Sequence, residues 1–118
     1  MKPSVILYGI PNCDSIKKTI QYLQRNNIAF EFHNYKKQGI DQKKLKQWCD
    51  QLGWERLLNT KGTTWKKLAP TFDGKKLTAT LAIRIMLEHQ SAIKRPILEI
   101  GTQVLVGYDE ATFNTFFY

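Results

Sequence analysis

This sequence has no long apolar run. Its longest, Val5-Ile6-Leu7-Tyr8 and Val104-Leu105-Val106, are a fraction of the ~20 residues a membrane-crossing helix requires. The start, Met1-Lys2-Pro3-Ser4, leads directly into the first run, with no h-region or small-residue cleavage site after it. These absences predict a soluble, unexported, cytoplasmic protein with no membrane partner. Cysteine is scarce as well. Cys13 and Cys49 form no Cys-x-x-Cys and are too few for a disulfide scaffold, so in a reducing compartment both are expected as thiols. The two histidines, His33 and His89, do not stand at zinc-ligand spacing, and no metal or bound cofactor is expected. Repeats and low-complexity tracts are missing too, which excludes solenoids and disordered linkers.

What remains is 118 residues, 42% of them hydrophobic, enough for one domain with its own core. Acidic residues are the minority: 10 Asp and Glu against 18 Lys and Arg leave a net charge of +8, which favours anionic partners. The cations are dispersed in doublets, Lys17-Lys18, Lys36-Lys37, Lys43-Lys44, Lys66-Lys67 and Lys75-Lys76, a pattern typical of solvated helix faces. They are not interleaved with aromatics as in single-strand binders, so nucleic acid is not expected as a partner.

Ser4 to Tyr8 predicts a buried strand, stopped by Gly9 and Pro11. A helix with Ile16, Ile20, Leu23 and Asn27 along one face follows, then a strand over 29–33. That order is a βαβ unit with parallel strands. The middle reads as helical. Asp41 caps a helix burying Leu45, Trp48, Cys49 and Leu52 and ending at Gly53; a short turn runs from Trp54 to Asn59. Thr63 or Thr64 caps a helix closed by Pro70, and a helix from Thr78 to about Glu88 buries Leu81, Ala82, Ile85 and Met86. Ile97 to Ile100, Gly101-Thr102 and Gln103 to Val106 predict a hairpin. Asp109 then caps a last helix carrying Phe113, Phe116 and Phe117. The class is α/β: a thioredoxin-like order with a small mixed sheet and an inserted helical subdomain.

One segment, Tyr8-Gly9-Ile10-Pro11-Asn12-Cys13-Asp14-Ser15, carries the features of a site. A cysteine between the end of a strand and the first turn of a helix meets converging backbone N–H groups and the positive end of the helix dipole, which favour the thiolate. Lys17, one turn on, can add a positive charge. Cys49 lies on an apolar stripe and reads as core, with a resolving thiol for Cys13 as the alternative.

Further residues add a resemblance. Gly9-Ile-Pro-Asn-Cys13-Asp-Ser-Ile-Lys-Lys18, Leu57-Leu-Asn-Thr-Lys-Gly-Thr-Thr-Trp65, Ile93-Lys-Arg-Pro-Ile-Leu98 and Val106-Gly-Tyr108 resemble the arsenate reductase (ArsC) and Spx family, and within it a YffB-like subgroup. The resemblance spans nearly the whole chain, here 1–118. It implies a thioredoxin-like part formed by 1–35 and 91–118, a helical insertion over about 40–88, a single catalytic cysteine at Cys13, and an arginine beside a cis-proline at Arg95 and Pro96. Arsenate reductases of this type are similar in three oxyanion-binding arginines, of which only Arg95 matches; Asn59 and a position near Val106 stand at the other two. Gly9 replaces the histidine that precedes the loop in those enzymes, and Ile16 stands where many Spx regulators carry the second cysteine of a Cys-x-x-Cys.

The expected function is a glutathione-dependent thiol–disulfide oxidoreductase working through Cys13. Asn12, Lys17, Lys61, Arg95 and Pro96 are the candidate substrate- or glutathione-binding residues. Glutathione is the co-substrate, a small or protein disulfide the substrate and glutaredoxin a further partner, with the protein itself a monomer. Two alternatives stand beside it: a Spx-like regulator that binds the transcription machinery without catalysis, and an arsenate reductase.

Overall fold

The computed structural model describes residues 4–72 and 77–118, so Met1 to Pro3 and the Lys75-Lys76 doublet lie outside the described residues. The chain divides into two compact units, Met1–Asn34 with Arg95–Tyr118, and Tyr35–Lys94.

The first unit has the mixed sheet of a thioredoxin-like fold. Strand β1 (Val5–Gly9), helix α1 (Asp14–Arg25) and strand β2 (Glu31–Asn34) form the expected βαβ unit, with β1 and β2 parallel. Strands β3 (Ile97–Ile100) and β4 (Gln103–Val106) form the predicted hairpin, and β3 pairs antiparallel with β1, giving the order β2-β1-β3-β4. The register sets Leu7 opposite both Phe32 and Leu98. Period-2 alternation then puts Val5, Leu7, Leu98 and Ile100 on one face, where they pack with Ile16, Tyr22, Leu23 and Phe113. Each such aliphatic side chain contributes about 1.5–3 kcal/mol by leaving water.

Two details of this unit differ from expectation. The buried face of α1 is Ile16, Thr19, Tyr22 and Leu23, whereas Ile20 is only partly buried and Asn27 lies beyond the helix at φ 56°. Tyr22 tolerates burial because its hydroxyl reaches Asn114 Oδ1 at 2.6 Å, and Thr19 because its hydroxyl donates to the Ser15 carbonyl at 2.7 Å. Strand β2 starts at Glu31, later than the pattern suggested, since the Ile28 N–H still bonds back to the Leu23 carbonyl at 2.9 Å as the chain leaves the helix. The final helix in this unit, Glu110–Phe117, is capped by Asp109 as expected, but only Phe113 is fully buried. Phe117 packs beside it on Tyr22, and Phe116, turned the other way around the helix, is 41% exposed.

The second unit is helical: α2 (Tyr35–Gln38), α3 (Gln42–Leu52), α4 (Trp54–Leu57), α5 (Thr63–Leu68), a 3₁₀ turn (Ala69–Phe72), α6 (Ala79–Glu88) and a second 3₁₀ turn (Gln90–Ala92). With these named, the Glu110–Phe117 helix is α7. Asp41 accepts from the Lys44 N–H at 2.7 Å, capping α3, which buries Leu45, Trp48 and Cys49 and ends at Gly53 (φ 87°), with Leu52 half-buried. Thr78 caps α6 by accepting from the Leu81 N–H at 3.2 Å; Ile83 takes the buried place expected for Leu81. Helix α5 departs from expectation. Its N-cap is Gly62 with no side-chain cap, Thr64 instead shares a 2.7 Å hydrogen bond with Ser91 Oγ, and Pro70 sits inside the 3₁₀ turn instead of closing the helix. The ends of this unit are tied by Lys94 N–H to Leu57 carbonyl, 2.7 Å, and Asn59 N–H to Ala92 carbonyl, 2.8 Å.

Candidate thiol active site

The inner strand β1 delivers the site. Its last residue, Gly9, is buried, and a Cβ there would lie 2.1 Å from Ile16 Cδ1, so the lack of a side chain lets the first turn of α1 close on the strand. The loop then passes through Asn12 in the left-handed region (φ 65°), which asparagine tolerates better than most residues, and reaches Cys13, the N-cap of α1 with extended backbone. At the same end of the sheet, where Ile97 pairs with Tyr8, the Arg95–Pro96 bond precedes β3. It is cis, as the resemblance implies, and the buried Pro96 accepts the Gly107 N–H at 2.8 Å.

Electrostatics distinguish the two thiols. Cys13 is partly exposed and Cys49 buried. Partial burial alone pushes the Cys13 thiol up; the Ile16 amide, the Arg95 guanidinium and the Ser15 amide outweigh it and hold the pKa below its ordinary value. The sulfur closes no strict capping hydrogen bond, so these donors act as a converging field around it. For Cys49, burial first and then the Asp50 and Glu55 carboxylates push the thiol up. A lowered, accessible thiol at a helix start is a nucleophile; a raised, buried one is inert.

The candidate residues separate by unit. Asn12, Cys13, Lys17, Arg95 and Pro96 belong to the sheet unit, and Lys61 to the helical one. The cation acting on the sulfur is Arg95; Lys17 is exposed on α1, its N–H donating to the Cys13 carbonyl at 3.0 Å. Lys61 is exposed, and its N–H donates to Asn59 Oδ1 at 3.2 Å. Asn59 is thereby used inside its own turn, where its amide also crowds Gly62, whose Cβ would meet Nδ2 at 2.8 Å. The Ile16 and Ser15 amides are the converging helix-start donors that the sequence order implies, whereas the packing of Gly9 on Ile16 has no signal in the sequence beyond the Gly9-to-Cys13 spacing. On the opposite face of the sheet, Tyr8 donates to Glu99 Oε1 at 2.8 Å and its ring lies 4.9 Å from that of His33. A cavity of about 770 Å³ lies at the other end of the strands, lined by Val5, Ile28, Phe30 and Phe117 among others, away from Cys13.

The ArsC family sequence model matches residues 8–116. A solved YffB protein is 40% identical, covering 95% of this chain and 97% of its own, with a TM-score of 0.90. A solved arsenate reductase (ArsC) related protein from Brucella melitensis is 38% identical, covering 97% and 94%, with a TM-score of 0.76. The global transcriptional regulator Spx of Lactiplantibacillus plantarum is 28% identical over 95% of this chain and 85% of its own. The chain belongs to the ArsC family.

Proposed function

We propose that this protein is a glutathione-dependent thiol–disulfide oxidoreductase with one nucleophilic cysteine. The observation that carries the reading is Cys13 itself: an N-cap thiol lowered by the Ile16 and Ser15 amides and Arg95, in a chain whose other thiol is buried and raised. The Cys13 thiolate attacks the glutathionyl sulfur of a mixed disulfide, that S–S bond breaks, and the substrate thiolate leaves and takes a proton. A second glutathione thiolate then attacks the Cys13–glutathione disulfide, releasing the Cys13 thiolate and oxidised glutathione. The two electrons that reduce the substrate come from glutathione. Arg95 holds an anionic group of glutathione, Pro96 and Asn12 shape the backbone that receives it, and Lys17 supplies further positive charge. Glutaredoxin is a second candidate reductant.

Arsenate is the weaker substrate on the same chemistry. A tetrahedral oxyanion needs several charged donors, each charge-assisted bond worth about 1.5–3 kcal/mol, and Arg95 is the one matched arginine, with Asn59 already used by its turn. The similarity to Spx regulators over 95% of the chain supports a second reading, a regulator that binds the transcription machinery without turnover. Steady-state reduction of a glutathionylated peptide, with Cys13→Ser as control, decides between them. Turnover lost in Cys13→Ser supports the oxidoreductase; no turnover in the wild type overturns it.

A further inference from the structure

The positive charge is not shared between the two units. Of the 18 cations and 10 anions, the sheet unit holds five of each and is neutral. The helical unit holds thirteen cations against five anions, and so carries all of the +8. Eleven of those thirteen are lysines, and one of its two arginines, Arg84, is spent on Glu88 at 3.3 Å. Five lysines fall between Lys36 and Lys46 with Asp41 as the single acid among them, and Lys43, Lys46, Lys61, Lys66, Lys67 and Lys94 are exposed. The thiol therefore lies in the neutral unit and the whole charge excess in the other.

We infer that the helical unit is an electrostatic docking surface for acidic protein partners, and that the substrates of Cys13 are cysteines within acidic segments. The inference rests on the oxidoreductase reading above and names its substrate class. Lysines present diffuse point charges suited to steering a flexible carboxylate-rich chain, whereas readers of nucleic acid depend on planar arginine forks and stacked aromatics. Among the described residues the large exposed hydrophobics are Phe116 and Tyr118, both in the neutral unit, while the aromatics of the basic unit, Trp54, Trp65 and Phe72 among them, are at most half-exposed. Binding an acidic segment raises its concentration near the rest of the same chain, and such steering changes encounter rates by about 10–10³-fold at low salt.

The test uses the whole protein and two peptides of equal length, each with one glutathionylated cysteine, one flanked by four glutamates and the other by four lysines. The acidic peptide is expected to be reduced at least tenfold faster at about 20 mM salt, with the advantage gone at about 500 mM. Lys43→Glu, Lys46→Glu, Lys66→Glu and Lys67→Glu combined neutralise the unit and are expected to abolish the preference while leaving alkylation of Cys13 by neutral iodoacetamide unchanged. If that variant does not fold, the salt dependence of the wild type decides. Equal rates for the two peptides at every salt overturn the inference and leave the oxidoreductase reading standing. If neither peptide is reduced, that reading fails, and fluorescence anisotropy of the same peptides on Cys13→Ser still decides docking: salt-sensitive binding of the acidic peptide supports it, equal binding overturns it. Retention of a labelled DNA oligonucleotide at about 150 mM salt without peptide discrimination reassigns the surface to nucleic acid and also overturns it.

Discussion

At the scale of single residues, the chemistry depends on what surrounds one sulfur. Iodoacetamide at about pH 6.5 is expected to label Cys13 well before Cys49, as read by peptide mapping, because the first thiol is lowered and the second raised. Arg95→Ala removes a hydrogen bond and a positive charge from the thiolate, so the pH profile of Cys13 alkylation should move to higher pH, with Arg95→Lys restoring part of the shift. The same depression has a sign in folding. The fold favours the Cys13 thiolate, so this contribution is fully present above the unfolded thiol's pKa and is lost as pH falls through the folded one. Cys49 works the other way, stabilising below its unfolded pKa and losing that contribution as pH rises through its folded value. The stability gap between the wild type and Cys13→Ser, measured by urea unfolding, should therefore widen from pH 6 to pH 9; a constant gap contradicts the assigned shift.

At the scale of elements, Gly9 joins strand to helix. Gly9→Ala forces Ile16 to move, which should cost about 1–3 kcal/mol and also raise the Cys13 pKa, since the Ile16 amide is the main group lowering it. A stability loss with no change in the alkylation profile would separate the packing from the chemistry. Caps give a sharper contrast. Asp41→Ala should destabilise by about 1 kcal/mol, while Thr63→Ala should change little, because the α5 N-cap carries no side-chain bond. That contrast also marks what sequence could convey. The βαβ unit, the hairpin and the caps at Asp41 and Asp109 are legible because periodicity and capping act over a few residues. The four-residue α2 and the turn at Gln90–Ala92 are too short for any period. The burial of Tyr22 is hidden because its partner, Asn114, stands far along the chain, and the cap expected at Thr63 or Thr64 fails while Thr64 pairs with Ser91, another distant residue. The cysteine and the helix-start amides around it are readable from local order; which amides act on it and the use of Asn59 inside its own turn require coordinates.

At the scale of the whole molecule, the two thiols make a simple count possible. Intact mass after incubation with oxidised glutathione should show one adduct per chain, lost in Cys13→Ser and kept in Cys49→Ser, since Cys49 is buried on α3. Two adducts on the folded protein would contradict that burial. The sheet unit is also discontinuous in sequence: β1, α1 and β2 precede the helical unit, and Arg95, β3 and β4 follow it. During synthesis the ribosome therefore releases Cys13 long before the strand that pairs with the other side of β1, and a two-stranded sheet on its own is marginal in water. Until the stretch beyond Lys94 emerges, the nascent chain's Cys13 has no arginine beside it. The thiol thus has its full set of lowering groups only once Arg95 joins the Ile16 and Ser15 amides, and a chain cut short before Arg95 carries the cysteine with the arginine's share missing.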